Sequence, residues 1–163
     1  MRRMNMFRDL KRKNKQVSNE ECIRLLKTEM RGVLSVLGDD DYPYGAPMNF
    51  WYDEEEGIIY FHSARVGHRI DALRKHDKVS FCIYDAGYKD EGDWALNITS
   101  VVVFGRIELI DDPETAVAVT RKLSYKYTQD EEFINSEIKK FGRGTMLLKM
   151  TPEHICGKKL REA

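Results

Sequence analysis

The chain of 163 residues has few of the features that mark a specialised class. Its four prolines and eleven glycines cluster nowhere, so there is no low-complexity linker, and no segment repeats. The three cysteines, Cys22, Cys82 and Cys156, lie far apart and form no Cys-x-x-Cys pair. An odd, scattered set speaks against a disulfide framework and for a reduced, cytoplasmic setting. The four histidines, His62, His68, His76 and His154, match no compact zinc spacing, and no metal is expected. No apolar run reaches the roughly 18 residues of a membrane span. The basic N-terminus leads into no apolar signal core, so no membrane association is expected. The 27 basic residues balance the 27 acidic ones, which argues against a nucleic-acid partner.

What is present suits one globular domain with a sizeable core: 42% of the residues are apolar and 33% charged. The charge is unevenly spread. Arg2, Arg3, Arg8, Lys11, Arg12, Lys13 and Lys15 stand against Asp9 alone, leaving the rest of the chain acidic. Residues 1–17 therefore read as a basic arm and 18–163 as a single domain. The arm is either a solvated charge run or a segment that docks on a partner subunit or an anionic ligand.

The domain opens on Ser18 and Glu21, spaced as a capping box, followed by Cys22, Ile23, Leu25, Leu26 and Met30 at helical spacing. This predicts a helix over 18–30. Strands are expected at 31–37, 44–52 and 58–62, joined by the acidic turns 38–42 and 53–57 as an antiparallel meander. Pro47 inside the second strand implies an edge, a bulge or a strand start. A short helix is expected at 67–75 and strands at 78–84 and 97–110, with Gly105 marking a bulge or bend. Helices follow from Asp112-Pro113 and over 131–141, then a last strand at 144–150 and a tail to 163. The pattern is mainly β with peripheral α: six strands forming a small antiparallel barrel. Strands and helices do not alternate, which excludes a doubly wound parallel sheet.

One stretch carries chemistry. A strand ends at His62, Ser63 and Ala64 turn the chain, and Gly67 leads into a helix whose first turn holds His68 and Arg69. A helix N-terminus presents unpaired N–H groups to anions. Ser63 adds a hydroxyl donor and Arg69 a charge-assisted contact suited to phosphate. Caps and solvated charge give rise to the same pattern. His62 reads equally as a satisfied strand-end histidine or as a cofactor contact. Trp51 and Trp94 are core or interface aromatics by type. Cys82, in an apolar strand, is expected to be buried and inert. No paired carboxylates and no covalent nucleophile stand out, so no catalytic residue is named.

The ordered series Gly-Val-Leu-Ser-Val (32–36), Pro-Tyr-Gly-Ala-Pro-Met-Asn-Phe (43–50), Ile-Tyr-Phe-His-Ser-Ala (59–64), Gly-His-Arg (67–69), Ser-Val-Val-Val-Phe-Gly-Arg (100–106) and Ile-Cys-Gly-Lys-Lys (155–159) resembles the pyridoxamine 5'-phosphate oxidase-like FMN-binding split-barrel superfamily, in its nitroimidazole-resistance (Nim-type) branch. Cys156 stands where threonine is commoner, and Arg69 where lysine often stands. The resemblance implies a six-stranded FMN-binding split β-barrel working as a homodimer with FMN between the subunits. It implies that Ala46, Pro47, Met48, Asn49 and Phe50 lie along the isoalloxazine, largely through backbone, with Met48 and Asn49 at its pyrimidine side. His62, Ser63, Ala64, His68 and Arg69 would bind the phosphate end. Trp94 and Ser100 would approach from the partner. The function implied is an FMN-dependent oxidoreductase acting on small planar acceptors such as nitroaromatics. The alternative is a flavin- or haem-binding sensor or carrier without turnover. Pyridoxamine-phosphate oxidation itself is disfavoured, because no second basic cluster stands out near the C-terminus beyond Lys158, Lys159 and Arg161.

Overall fold

In the computed structural model, which describes residues 6–162, the first regular helix is α1, Asn19–Thr28. Ser18 caps it by accepting from the Glu21 N–H at 3.2 Å. The capping box is only half made, because the Glu21 carboxylate turns outward to Arg24 at 2.7 Å. Cys22, Leu25 and Leu26 face inward and join the main core.

Seven strands follow: β1 Arg31–Leu37, β2 Pro43–Asn49, β3 Trp51–Asp53, β4 Ile58–Ala64, β5 Lys78–Tyr84, β6 Leu96–Ile110 and β7 Thr145–Glu162. They form one antiparallel sheet in the order β2-β1-β5-β6-β7-β4-β3. Between them lie α2 His68–Lys75, α3 Pro113–Tyr125 and α4 Glu131–Phe141.

Two expectations are corrected by this order. The strand predicted over 44–52 breaks at Phe50, which makes the count seven instead of six. The two halves then sit at opposite edges of the sheet, so the first strands are no meander. Because β2 and β3 are joined through Phe50 alone, the chain itself ties one edge to the other and the sheet curls round. Phe50 is 0% exposed and packs edge-on against Phe81, as does Phe61, at 4.8 and 4.9 Å. Its backbone, cut off from the sheet ladder, is served by one side chain. The Phe50 N–H donates to the Tyr127 hydroxyl at 2.8 Å, and that hydroxyl lies 2.9 Å from the Phe50 carbonyl and 2.7 Å from that of Met30.

The residues after 150 are a third correction. They are not a tail: β7 runs on to Glu162, pairing with β6 along nearly its whole length. The register slips at Phe104/Gly105, where Pro152 is accommodated. A Cβ on Gly105 would stand 2.3 Å from the Thr151 carbonyl, so only glycine allows the two backbones to meet there. The bulge expected at Gly105 is present. Pro47 lies on the edge strand β2, the place in a sheet where proline is tolerated.

β4 is buried on both faces. Ile59 and Phe61 enter the main core, while Ile58 and Tyr60 pack with Leu147 under Ala116 of α3. That accounts for its continuous apolar run. The N-terminal arm lies on the chain's own sheet: Phe7 stacks on His154 at 4.9 Å and Phe104 at 5.6 Å, and the Val17 N–H donates to the Gly157 carbonyl at 3.1 Å. Arg2 and Arg3 fall outside the described residues. Cys82 is half-buried instead of buried, and that partial burial pushes its thiol pKa up.

Lys126 follows α3 and carries its charge in a partly desolvated place. Its Nζ stands 3.6 Å over the Phe50 ring and donates to the Leu26 carbonyl at 3.3 Å. Burial lowers its pKa to about 8. Folding therefore disfavours the proton. Between about pH 8 and the ordinary lysine value near 10.4, the unfolded chain binds more protons and stability rises with pH. Below about pH 8 the penalty is fully present. In urea titrations from pH 7.5 to 10, the wild type should gain stability relative to Lys126→Met, whose curve lacks this contribution. Parallel curves would show that the ammonium is not disfavoured.

Candidate functional site

The end of β4, the start of α2 and the helices α3 and α4 enclose a cavity of about 970 Å³. β4 delivers His62, Ser63 and Ala64 to its wall. Gly67 turns the chain with a φ of +119°, a conformation that favours glycine, and α2 begins at His68. No side chain caps this helix start, so its first N–H groups stay available. The β4–α2 connection is anchored by Arg65, which pairs with Asp111 and donates to the Thr145 carbonyl at 3.2 Å.

Arg69 holds the central position. Its Nη1 reaches the Ser63 hydroxyl at 3.4 Å, while its Nε is buried with no hydrogen-bond partner among the described residues. An orphaned guanidinium donor beside a hydroxyl and a helix N-terminus fits an anionic oxygen ligand, and phosphate in particular. His68 is tied elsewhere. Its Nε2 accepts from the Asp39 N–H at 3.3 Å, and its ring lies on Tyr44 at 4.4 Å. It thus braces α2 against the β1–β2 turn. His62 is open to the cavity, but the surrounding walls remove enough water to lower its pKa, so its imidazole is neutral at neutral pH.

Of the residues singled out from sequence, Asn49, His62, Ser63, Ala64, His68 and Arg69 line this cavity. Ala46, Pro47, Met48 and Phe50 do not. Met48 and Phe50 point into the core, while Ala46 and Pro47 lie on β2, whose outer backbone edge no strand among the described residues covers. Trp94 and Ser100 are also elsewhere. Ser100 sits on β6 opposite Tyr84 and Lys158. Trp94 is 72% exposed on a loop pinned by Asp93, which accepts from the Ala95 N–H at 3.0 Å and from Arg161 at 2.5 Å.

Sequence reasoning missed the helical wall. Thr120, Ser124 and Thr128 recur every four residues and all reach the cavity, as do Phe133 and Glu137 from α4. That spacing was visible, but nothing local says what a helix covers. Among the described residues, no three His, Cys, Asp or Glu side chains come together as metal ligands, and no helix is long and apolar enough to cross a membrane.

A family model described as pyridoxamine 5'-phosphate oxidase matches residues 18–159. The chain belongs to the pyridoxamine 5'-phosphate oxidase family. Solved structures share the fold. A candidate 5-nitroimidazole antibiotic resistance protein from Bacteroides thetaiotaomicron superposes with a TM-score of 0.77 at 20% identity, over 90% of this chain and 87% of that one. A FAD-binding protein from Mesorhizobium loti gives 0.64 at 20% identity, over 90% and 97%. A FAD and heme binding protein from Mycobacterium smegmatis gives 0.70 at 16%, over 88% and 72%. No curated protein matches the sequence. The α3–α4 segment between β6 and β7 supplies the helical wall of the cavity facing the end of β4.

Proposed function

We propose that this protein is a flavin-dependent oxidoreductase that binds FMN and reduces small planar acceptors such as nitroaromatics. The observation that carries the reading is the unpartnered, buried Nε of Arg69, beside Ser63 and the uncapped start of α2. It suits the phosphate end of FMN. The ring would then extend toward Asn49 and the free backbone edge of β2. Flavin supplies the electron or hydride transfer, while the protein supplies binding, orientation and exclusion of water. The FAD-binding relatives support a flavin, and the nitroimidazole-resistance relative supports the acceptor class. The purified protein should be yellow, and reduction followed by reoxidation with a nitroimidazole tests turnover. A second reading, a haem-binding carrier, draws on the neutral His62 facing the cavity and on the haem-binding relative. A Soret band in place of flavin absorption would select it.

The reading includes a homodimer. Pro47, Val33, Cys82, Val102 and Cys156 are register neighbours across five adjacent strands and form one apolar row on the outer face of the sheet. Trp94, held out on its pinned loop, suits an interface anchor. Sedimentation should give a dimer at micromolar concentration, burying more than about 1,000 Å². Val102→Glu places a charge in the middle of that row and should yield monomers with weakened FMN binding. A monomer that holds FMN as tightly as the wild type would remove the partner from the site.

A further inference from the structure

The cavity contains a carboxylate that phosphate binding leaves idle. Glu137 is the only carboxylate among the described residues that line it. It is half-buried, and it makes no hydrogen bond and no ion pair among the described residues. Lys140, three residues on, lines the same wall but already has a partner. A half-buried carboxylate without a partner on a cavity wall is available to a ligand that can donate a hydrogen bond.

Its neighbour on the helix is equally unexplained by packing. α4 is anchored by Ile134, which is 1% exposed, with Ile138 one turn further along. Phe133 and Glu137 form the parallel row, also four residues apart and therefore side by side on the helix surface. Phe133 is 54% exposed although it lines the cavity. Asp130 fixes the start of the helix by accepting from the Phe133 N–H at 3.0 Å, so the row is held in place. An aromatic face with a carboxylate one turn away recognises a flat ring that carries positive charge or a strong N–H donor at one edge. The ring stacks, the cation is drawn to the π-face, and the carboxylate takes a charge-assisted hydrogen bond. Arg69, whose Nη1 reaches the Ser63 hydroxyl at 3.4 Å, is the group assigned to phosphate.

We propose that Phe133 and Glu137 are the acceptor-recognition edge of this site, and that it selects planar aromatic molecules bearing a cationic or N–H-donating edge over anionic ones. The proposal rests on the oxidoreductase reading for the word acceptor, but the binding preference stands by itself. Three isosteric probes test it: 4-nitrobenzamidine, 4-nitrobenzamide and 4-nitrobenzoate, titrated calorimetrically into the protein with and without added FMN. The amidine should bind at least about tenfold more tightly than the benzoate, as one charge-assisted hydrogen bond allows, with the amide between them. Glu137→Gln should shrink that ratio below about threefold while FMN affinity stays at the wild-type value. Phe133→Ala should weaken the amidine about fivefold, and Phe133→Tyr should restore it. A wild type without preference, or a preference that survives Glu137→Gln, overturns the proposal. Failure of the flavin reading would show separately, as a protein that takes up no FMN, and the probe titration with inorganic phosphate in place of FMN, which occupies the Arg69 cradle, would still decide the matter.

Discussion

Tyr127→Phe should lower the unfolding free energy by about 2–4 kcal/mol, a large loss for a change of one oxygen atom. Phe50 is completely buried, so its N–H has no water to turn to once the Tyr127 hydroxyl is gone. The same hydroxyl lies within hydrogen-bonding distance of the Phe50 and Met30 carbonyls, one of which takes its proton. Each buried backbone group left unsatisfied costs about 1–3 kcal/mol, and at least two lose this partner. The control is Tyr125→Phe, whose hydroxyl donates to Glu131 at 2.6 Å on the exposed surface. It should fall within about 0.5 kcal/mol of the wild type, as surface substitutions do. Urea unfolding monitored by circular dichroism separates the two. Equal small losses would mean that the break at Phe50 is held by packing alone.

Arg69→Met should weaken FMN binding about 10- to 150-fold and leave riboflavin binding unchanged. The range follows from about 1.5–3 kcal/mol for a hydrogen bond to a charged group, at 1.4 kcal/mol per factor of ten. Methionine keeps most of the side chain's apolar bulk while removing the charge and the orphaned Nε. Equal losses for FMN and riboflavin would place the phosphate elsewhere and leave Arg69 a structural residue. His68→Asn makes a useful comparison. Its ring braces α2 against Asp39 and Tyr44, so its loss should lower stability as well as affinity.

The sequence was most legible where order is local. Alternating or continuous apolar runs located β1, β5 and β6 to within a residue, and the Asp112-Pro113 pair located α3, whose N-cap accepts from the Thr115 N–H at 2.8 Å. The residues proposed for the phosphate end are close for the same reason: Ser63, Gly67, His68 and Arg69 lie within seven residues, and the turn brings Arg69 to Ser63 while His68 turns to Asp39 and Tyr44. What failed was non-local. The second half of β7 reads as a charged tail with a proline because it is half-covered on both faces, by α1 through Gly157 and Cys22 on one and by the arm at His154 on the other. The 44–52 run looks like one strand because the break at Phe50 is satisfied by a hydroxyl 77 residues away. The α4 row of Phe133 and Glu137 looks like surface until the fold sets it against β4.

The place of β7 in the sheet also dictates when the fold can form. It is made after every other strand, yet it sits between β6 and β4. Until residues 145–162 have left the ribosome, the β2-β1-β5-β6 and β4-β3 pieces have no strand between them, and the inner edges of both stand open. Those edges carry the apolar Ile59, Phe61, Val101 and Val103. Non-local strand pairing is slow, and nascent chains that wait with open edges are prone to aggregate. The chain therefore commits to its barrel only once β7 has been made, and a chain cut short before β7 leaves two sticky half-sheets instead of a smaller stable protein.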